Sequence, residues 1–221
     1  MQLSGEIFSA GAITLGAIAS AATLVGALRL VPWRRLFDSE QSHVYFGTLV
    51  AMLVLWTLRT EVTDGLVFHL SAMTALTLMF GWSLAMLGGS LVLAGVTLAG
   101  LSDWGGYPLS LLVEVAVPAS LTQTALVVVR FALPRHIFIY LFVNAFFVAG
   151  LAAMLAAYAA AFLLVLGGGY TWAELERTFI PFFPLMFFPE AVLNGWIMTL
   201  MVVLRPRWVS SFRDDEYLHG K

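Results

Sequence analysis

Long apolar runs alternate with short polar connections along the whole chain. A helix needs about 20 apolar residues to cross the hydrocarbon core of a bilayer, so runs of this length predict transmembrane helices. The predicted spans cover about 7–31, 44–60, 66–81, 83–100, 108–131, 137–166 and 179–204, and a charged tail follows at 205–221. We therefore predict an all-α fold, a polytopic helical membrane protein with about seven transmembrane helices in a single domain.

The composition agrees with this pattern and excludes several classes of function. The chain has 221 residues, of which 61% are hydrophobic, and its mean hydropathy is +0.92. Soluble domains are nearer 45–50% apolar. The absence of cysteine excludes disulfides, thiolate metal sites and thiol catalysis. The basic residues are few and scattered, which argues against nucleic-acid binding.

The distribution of basic residues predicts the orientation of the chain. With seven spans, one side receives nine basic residues: Arg29, Arg34, Arg35, Arg130, Arg135, Arg205, Arg207, Arg213 and Lys221. The other side receives only Arg59 and Arg177. Because loops rich in Lys and Arg stay in the cytoplasm, we expect the N-terminus outside and the C-terminus in the cytoplasm.

Two shorter patterns predict local structure. Gly11, Gly16 and Gly26 in the first span are small residues that let helices approach closely in lipid. Thr171 with Glu174 three residues later matches a capping box, so a short interfacial helix is expected to begin there.

Candidate chemistry starts with the stretch from Glu61 to His69, where a polar connection meets the third apolar run. Ionisable groups at membrane depth are costly, so one placed there is a functional-site hypothesis. His69 lies inside the apolar run and needs a partner. In the alternative interpretation, Glu61 and Asp64 are ordinary solvated loop carboxylates and His69 only bonds a carbonyl of a neighbouring helix.

Three further carboxylates are predicted to belong to the same end of the bundle. Asp103 lies in the loop after the fourth span, whereas Glu114 and Glu190 lie deeper, within apolar runs. Each of the deeper two has a structural alternative. In the structural alternative, Glu114 only forms a hydrogen bond to a neighbouring helix. Pro181, Pro184 and Pro189 predict that the last span is bent or broken. Glu190 follows Pro189 and is a candidate cap for the helix that resumes there.

No hydrolase signature accompanies these residues. The chain has no nucleophile elbow, no His-Glu-x-x-His zinc motif and no Gly-x-x-x-x-Gly-Lys phosphate loop. We therefore predict that the chain is not an enzyme. A polar pocket at the outer end of a helical bundle favours solute capture.

Four stretches together resemble a known family. They are residues 1–9 (Met-Gln-Leu-Ser-Gly-Glu-Ile-Phe-Ser), residues 68–77 (Phe-His-Leu-Ser-Ala-Met-Thr-Ala-Leu-Thr), residues 103–109 (Asp-Trp-Gly-Gly-Tyr-Pro-Leu) and residues 188–195 (Phe-Pro-Glu-Ala-Val-Leu-Asn-Gly) with the later Arg-Pro-Arg. In this order they resemble the CbiM-type cobalt/nickel substrate-capture permeases of energy-coupling-factor ABC transporters. The likeness runs from residue 1 to about 208.

The resemblance implies a metal site built around the N-terminus. Family members capture a divalent ion with the α-amine, a backbone nitrogen, a histidine at position two and a further histidine on the third span. Carried over, this makes Met1, Gln2 and His69 the binding residues, with His69 as the retained metal ligand. The five carboxylates Glu61, Asp64, Asp103, Glu114 and Glu190 are candidates to surround these ligands. Gln2 departs from the family pattern, because an amide is a poor replacement for imidazole on such ions.

The resemblance also implies partners and a location. The chain would be the substrate-binding component of an importer in the bacterial inner membrane, with a separate coupling membrane protein and ATPase subunits. No permanently bound cofactor is implied, only a transported cobalt or nickel ion. Two alternatives stay open at this point. The same fold could capture an uncharged or organic solute, or the chain could be an intramembrane enzyme or assembly scaffold that uses His69 with Glu61 or Asp64.

Overall fold

The computed structural model describes residues 3–63, 66–213 and 217 of the chain. The side chains of residues 61–66 are not part of that description. Of the predicted site residues, Met1, Gln2 and Asp64 therefore lie outside the described residues, as does the side chain of Glu61. Within the described ranges the chain is a helical bundle with one β-hairpin at one end.

The helices begin and end close to the polar connections. They are α1 (Ala10–Leu30), α2 (Ser39–Thr57), α3 (Met73–Phe80), α4 (Trp82–Leu98), α5 (Tyr107–Ala132), α6 (Ile137–Leu166), α7 (Trp172–Thr178) and α8 (Phe183–Leu204). Side chains cap several of them: Ser9 accepts from a backbone amide at the start of α1, and Asp38 does so for α2. The capping box predicted at Thr171 and Glu174 is confirmed at the start of α7.

Four described helical segments are long and apolar enough to cross a membrane. They are α1, α5, α6 and the segment Ile180–Leu204, which includes α8, while α4 is a shorter apolar helix. This pattern is that of a helical membrane protein, as predicted. The number of seven spans and the sides on which the termini lie remain predictions.

The region predicted as the third span is built differently. Residues Leu66–His69 form strand β2, which pairs antiparallel with β1 (Arg59–Thr63), so that Arg59 lies opposite His69. Only α3 is helical there, and its eight residues extend about 12 Å. The prediction of a helix over 66–81 is therefore wrong in its first half. All eight residues of α3 are buried, so the run is apolar because protein surrounds it.

The predicted break in the last span is also wrong at Pro189. This proline lies inside α8, which is continuous from Phe183 to Leu204. The irregular part is the preceding 3-10 turn, Ile180–Phe182. Pro184 lies in the first helical turn, where backbone amides have no partner within the helix, so it costs little there.

α1 packs closely against the start of α5 at small residues. Of the three glycines predicted to allow such an approach, only Gly16 lies at this contact. A Cβ added to Gly16 would lie 2.5 Å from Leu109 Cδ2, which explains the need for glycine at this contact. Ser20, one turn later, donates a hydrogen bond of 2.6 Å to the carbonyl of Pro108. A Cβ at Gly26 would meet nothing within 4 Å, so that glycine does not mark a close contact.

The segment after α8 closes the far end of α3. The backbone amide of Ser210 donates to the carbonyl of Met79 at 2.8 Å, and that of Ser211 donates to Leu78 at 3.2 Å. Phe212 is buried beside them. Residues 205–213, the first part of the predicted charged tail, therefore pack against the bundle. They satisfy the last carbonyls of a buried helix.

Candidate functional site

His69 lies at the end of β2, where the hairpin enters the bundle. Its side chain is 3% exposed, and its ring lies 4.7 Å from that of Trp56. Trp56 is itself fixed by a 2.9 Å hydrogen bond from Nε1 to the carbonyl of Ser71. Burial, and after it nearby positive charge including that of Arg59, lowers the pKa of His69 well below its ordinary value. Burial thus favours the neutral imidazole, and the neutral form is the one that binds metal ions.

Glu114, on α5, is a buried carboxylate next to the imidazole of His69. Its Oε2 lies 3.7 Å from His69 Nε2, and its side chain is 4% exposed. Residues Leu111–Ala116 form a π-helical turn in this part of α5. Such turns shift the register of the following side chains and occur often at functional sites. The structure therefore brings together two predicted site residues that are 45 positions apart in the chain.

Glu190 is buried nearby, but its carboxylate is fully engaged. Oε1 accepts from Ser71 Oγ at 2.7 Å and from the Ala72 amide and Asn194 Nδ2 at 2.8 Å, and Oε2 accepts from the Ser71 amide at 2.8 Å. Asn194 Oδ1 accepts from the Ala75 amide at 2.8 Å. The prediction that Glu190 caps a helix resuming after Pro189 is therefore wrong, because α8 is continuous through both residues. Glu190 binds the amides that open α3 instead.

This network holds a strained backbone position. Ala72 has φ of +53°, the left-handed region, which costs a non-glycine residue roughly 1–2 kcal/mol. The bond from its amide to Glu190 compensates by satisfying a buried donor. The turn at Ala72 directs the chain from β2 into α3, and so fixes where His69 lies relative to the bundle.

Two cavities adjoin His69. An inner cavity of about 40 Å³ has His69, Ser71, Glu114 and Glu190 as its polar lining. An outer cavity of about 600 Å³ is lined mainly by apolar side chains, among them Leu58, Phe68, Phe182 and Leu185. Three residues line both, namely His69, Met186 and Glu190. They therefore lie between the wide outer cavity and the small inner one, in which the buried side chains of His69 and Glu114 meet.

The N-terminal segment is anchored beside the same site. Leu3 is buried, and its backbone amide donates to Ser110 Oγ at 3.1 Å. The amide of Gly5 donates to Asp103 Oδ2 at 2.7 Å. Ser110 precedes Glu114 by four residues on α5, about one turn. Leu3 therefore contacts α5 about one helical turn before Glu114.

Asp103 holds this segment rather than facing the inner cavity. Hydrogen bonds from the amides of Gly5, then Gly105 and Gly106, lower the pKa of the Asp103 carboxyl below its ordinary value. The loop approaches the segment so closely that a Cβ on Gly106 would lie 1.5 Å from the carbonyl oxygen of Leu3. Glycine is therefore required at this position as long as the N-terminal segment is seated.

The outcome differs among the predicted site residues. His69, Glu114 and Glu190 surround the inner cavity, whereas Asp103 lies with the N-terminal segment. The backbone of Glu61 pairs with Val67 in the hairpin.

Sequence reasoning missed three residues that position the site: Trp56, Ser110 and Asn194. Asn194 had a recognisable signal, since it follows Glu190 by four residues on one helix face. Trp56 and Ser110 had none, because their partners are distant in sequence.

The arrangement offers two donors to a cation within the described ranges. A divalent ion binds imidazole nitrogen at about 2.0–2.1 Å and carboxylate oxygen at about 2.0–2.2 Å. Atoms 3.7 Å apart can both reach one ion placed between them. Among the described residues no group of three or more His, Cys, Asp or Glu side chains is arranged to hold a metal. Any further donors must therefore come from elsewhere, such as the backbone.

The family is decided by sequence comparison over nearly the whole chain. The profile of the CbiM family, described as the cobalt uptake substrate-specific transmembrane region, matches residues 3–208. The chain belongs to the CbiM family. As a CbiM family member it is an integral membrane component of metal-ion transport. No curated protein sequence and no solved structure is significantly similar to it.

Proposed function

We propose that this CbiM family member is the substrate-capture component of an energy-coupling-factor type importer and that it takes up a divalent cobalt or nickel ion. The observation that carries the proposal is the buried pair His69 and Glu114, which both line the small inner cavity. Ionisable side chains are rarely placed inside a membrane bundle unless they bind something. The family's role in cobalt uptake supplies the class of substrate.

In this proposal the N-terminus completes the site. The α-amine of Met1, a backbone nitrogen of the first residues and His69 would supply nitrogen donors. The seat of Leu3 and Gly5 against α5 and the loop of Asp103 supports this, because it holds the described start of the chain about one turn from Glu114. Gln2 adds no imidazole, so we expect the site to be weaker than one with histidine at position two.

The remaining subunits would be a coupling membrane protein and ATPases. The chain carries no Gly-x-x-x-x-Gly-Lys phosphate loop, so nucleotide hydrolysis would have to come from a partner. The bacterial inner membrane is the location that we propose. The ion would be transported cargo, not a permanent cofactor.

The proposed orientation places the captured ion at the outer surface. It rests on the nine basic residues of one side against Arg59 and Arg177 on the other. A reporter that is active only in the cytoplasm should function when fused after Lys221. The same reporter should be inactive when inserted between residues 167 and 171. Activity at both positions would contradict the orientation.

Titration of the purified protein tests the proposed function. The protein should carry its tag at the C-terminus only, so that the α-amine stays free, and should be titrated with CoCl₂ and NiCl₂ by calorimetry. We expect saturable binding of one of these ions, together with cobalt or nickel in the purified protein by mass spectrometry. Absence of both would contradict metal capture.

One observation favours a second candidate, the capture of an organic solute by the same fold. The outer cavity has about 600 Å³ and a mainly apolar lining, as small-molecule sites commonly do. Failure of metal binding, combined with an organic molecule that co-purifies and is identified by mass spectrometry, would favour this alternative.

A further inference from the structure

The carboxylate of Glu114 has no counterpart among the nitrogen donors that the resemblance implies. Glu114 does not stand at the sequence position of any of those donors. Its side chain nevertheless faces His69 at the inner cavity. The other buried carboxylate at that cavity, Glu190, is occupied by amide and hydroxyl donors at the start of α3. The structure thus contains two buried carboxylates at this cavity: Glu190 binds the start of α3, and Glu114 lies against His69.

His69 gives the second, independent sign of a ligand. Its Nδ1 is buried and has no hydrogen-bond partner among the described residues. A buried ring nitrogen without a partner is rare in proteins and marks the imidazole of His69 as a candidate for ligand binding; the nitrogen that faces Glu114 is the other one, Nε2. His69 also lines the inner cavity. The volume of this cavity is about 40 Å³, which exceeds the roughly 10–15 Å³ that a water-sized particle requires.

Charge gives a reason for a carboxylate here. A divalent ion that enters a buried cavity loses hydration, and neutral nitrogen donors do not compensate its charge. A carboxylate does so, and its Oε2 lies 3.7 Å from His69 Nε2, within reach of an ion bound by both. A carboxylate ligand is more important in this chain than in relatives with histidine at position two, because Gln2 supplies no imidazole.

We propose that Glu114 is itself a ligand of the captured ion, so that this chain binds the metal through a mixed set of His69 nitrogen and Glu114 oxygen. The proposal rests on the proposed function, since it names the donors of the same site. A mixed nitrogen and oxygen set is less suited to planar, nitrogen-rich Ni(II) ligation than the set that the resemblance implies. It therefore shifts the preference of the chain from Ni(II) towards Co(II).

Two variants at position 114 test the ligand role. Glu114→Gln keeps the shape of the side chain but removes the charge, and should lower Co(II) affinity at least about tenfold, the lower limit for disturbing a metal's surroundings. Glu114→His supplies a nitrogen instead and should raise the ratio of Ni(II) to Co(II) affinity at least about tenfold. Both affinities are measured by calorimetry with CoCl₂ and NiCl₂.

The visible spectrum of bound Co(II) separates a ligand from a structural role. The bands depend on the donor atoms, so Glu114→His should shift them, whereas a change in packing alone should not. Glu176→Gln, which removes the charge of an exposed carboxylate on α7, is the matched comparison and should leave both the Co(II) affinity and the bands unchanged. Glu114 variants that bind Co(II) with unchanged affinity and spectrum would overturn the ligand role while leaving metal capture intact. A wild-type protein that binds neither ion would overturn the proposed function itself.

Discussion

His69→Ala is expected to abolish metal binding and uptake, lowering Co(II) affinity by at least about 100-fold. The substitution removes the one described imidazole that lines the inner cavity, and loss of a ligand should exceed the 10–100-fold effect of disturbing a ligand's surroundings. The measurement is calorimetric titration of purified wild type and variant with CoCl₂, together with accumulation of radioactive cobalt in cells that express each.

The interpretation depends on showing that the variant is folded. Removing the ring leaves space beside Trp56 and changes the surroundings of Glu114, at a cost of roughly 1–3 kcal/mol in unfolding free energy. His43→Ala is the matched control, since His43 is an exposed histidine on α2 and should bind metal like wild type. If uptake falls only in proportion to the amount of folded protein, His69 has a structural role and the metal site is wrong.

Gln2→His is expected to raise Ni(II) and Co(II) affinity by at least about 100-fold over wild type. The introduced imidazole would join the α-amine, a backbone nitrogen and His69, and restore the nitrogen-rich set that the family resemblance implies. A gained ligand should again exceed the range of 10–100-fold for its surroundings. Nitrogen donors favour Ni(II), so its gain should be the larger of the two. Both proteins are titrated by calorimetry, with a tag at the C-terminus only.

Two changes should cancel this gain without touching the introduced histidine. A tag ahead of Met1 removes the free amine. Gly106→Ala places a methyl group where the carbonyl of Leu3 lies, 1.5 Å from the added Cβ, and should unseat the N-terminal segment. Gly26→Ala, with nothing within 4 Å of the added carbon, is the glycine control. Equal affinities of wild type and Gln2→His, or a gain indifferent to the tag, would show that the N-terminus is not a ligand.

The sequence alone determined the class of protein and most helix ends. Apolar runs of about 20 residues allow few structures other than membrane helices, because lipid offers no partner to backbone groups. Helices over 107–132, 137–166 and 180–204 agree with the predicted runs to within one residue at each end. The order of the four resembling stretches was also sufficient to identify the CbiM family.

The same reasoning from apolar runs gave a wrong prediction where protein, and not lipid, surrounds the chain. Residues 66–80 are as apolar as a span, yet they form β2 and the short helix α3. An apolar run records only that water is excluded, and the sequence does not say whether lipid or other helices exclude it. The prediction of a break at Pro189 was wrong for a similar reason. Neighbouring helices can satisfy the backbone groups that a proline leaves unpaired, so the helix continues through it.

The site was predictable as a set of residues but not as an arrangement. His69, Glu114 and Glu190 each stood out because ionisable groups are rare in apolar runs. Their roles depend on contacts across 45 to 119 positions of sequence, which no local pattern contains. Only the tertiary structure places Glu114 against His69 and commits Glu190 to the amides that open α3. It alone also seats Leu3 against Ser110, since close packing of distant backbones decides that contact.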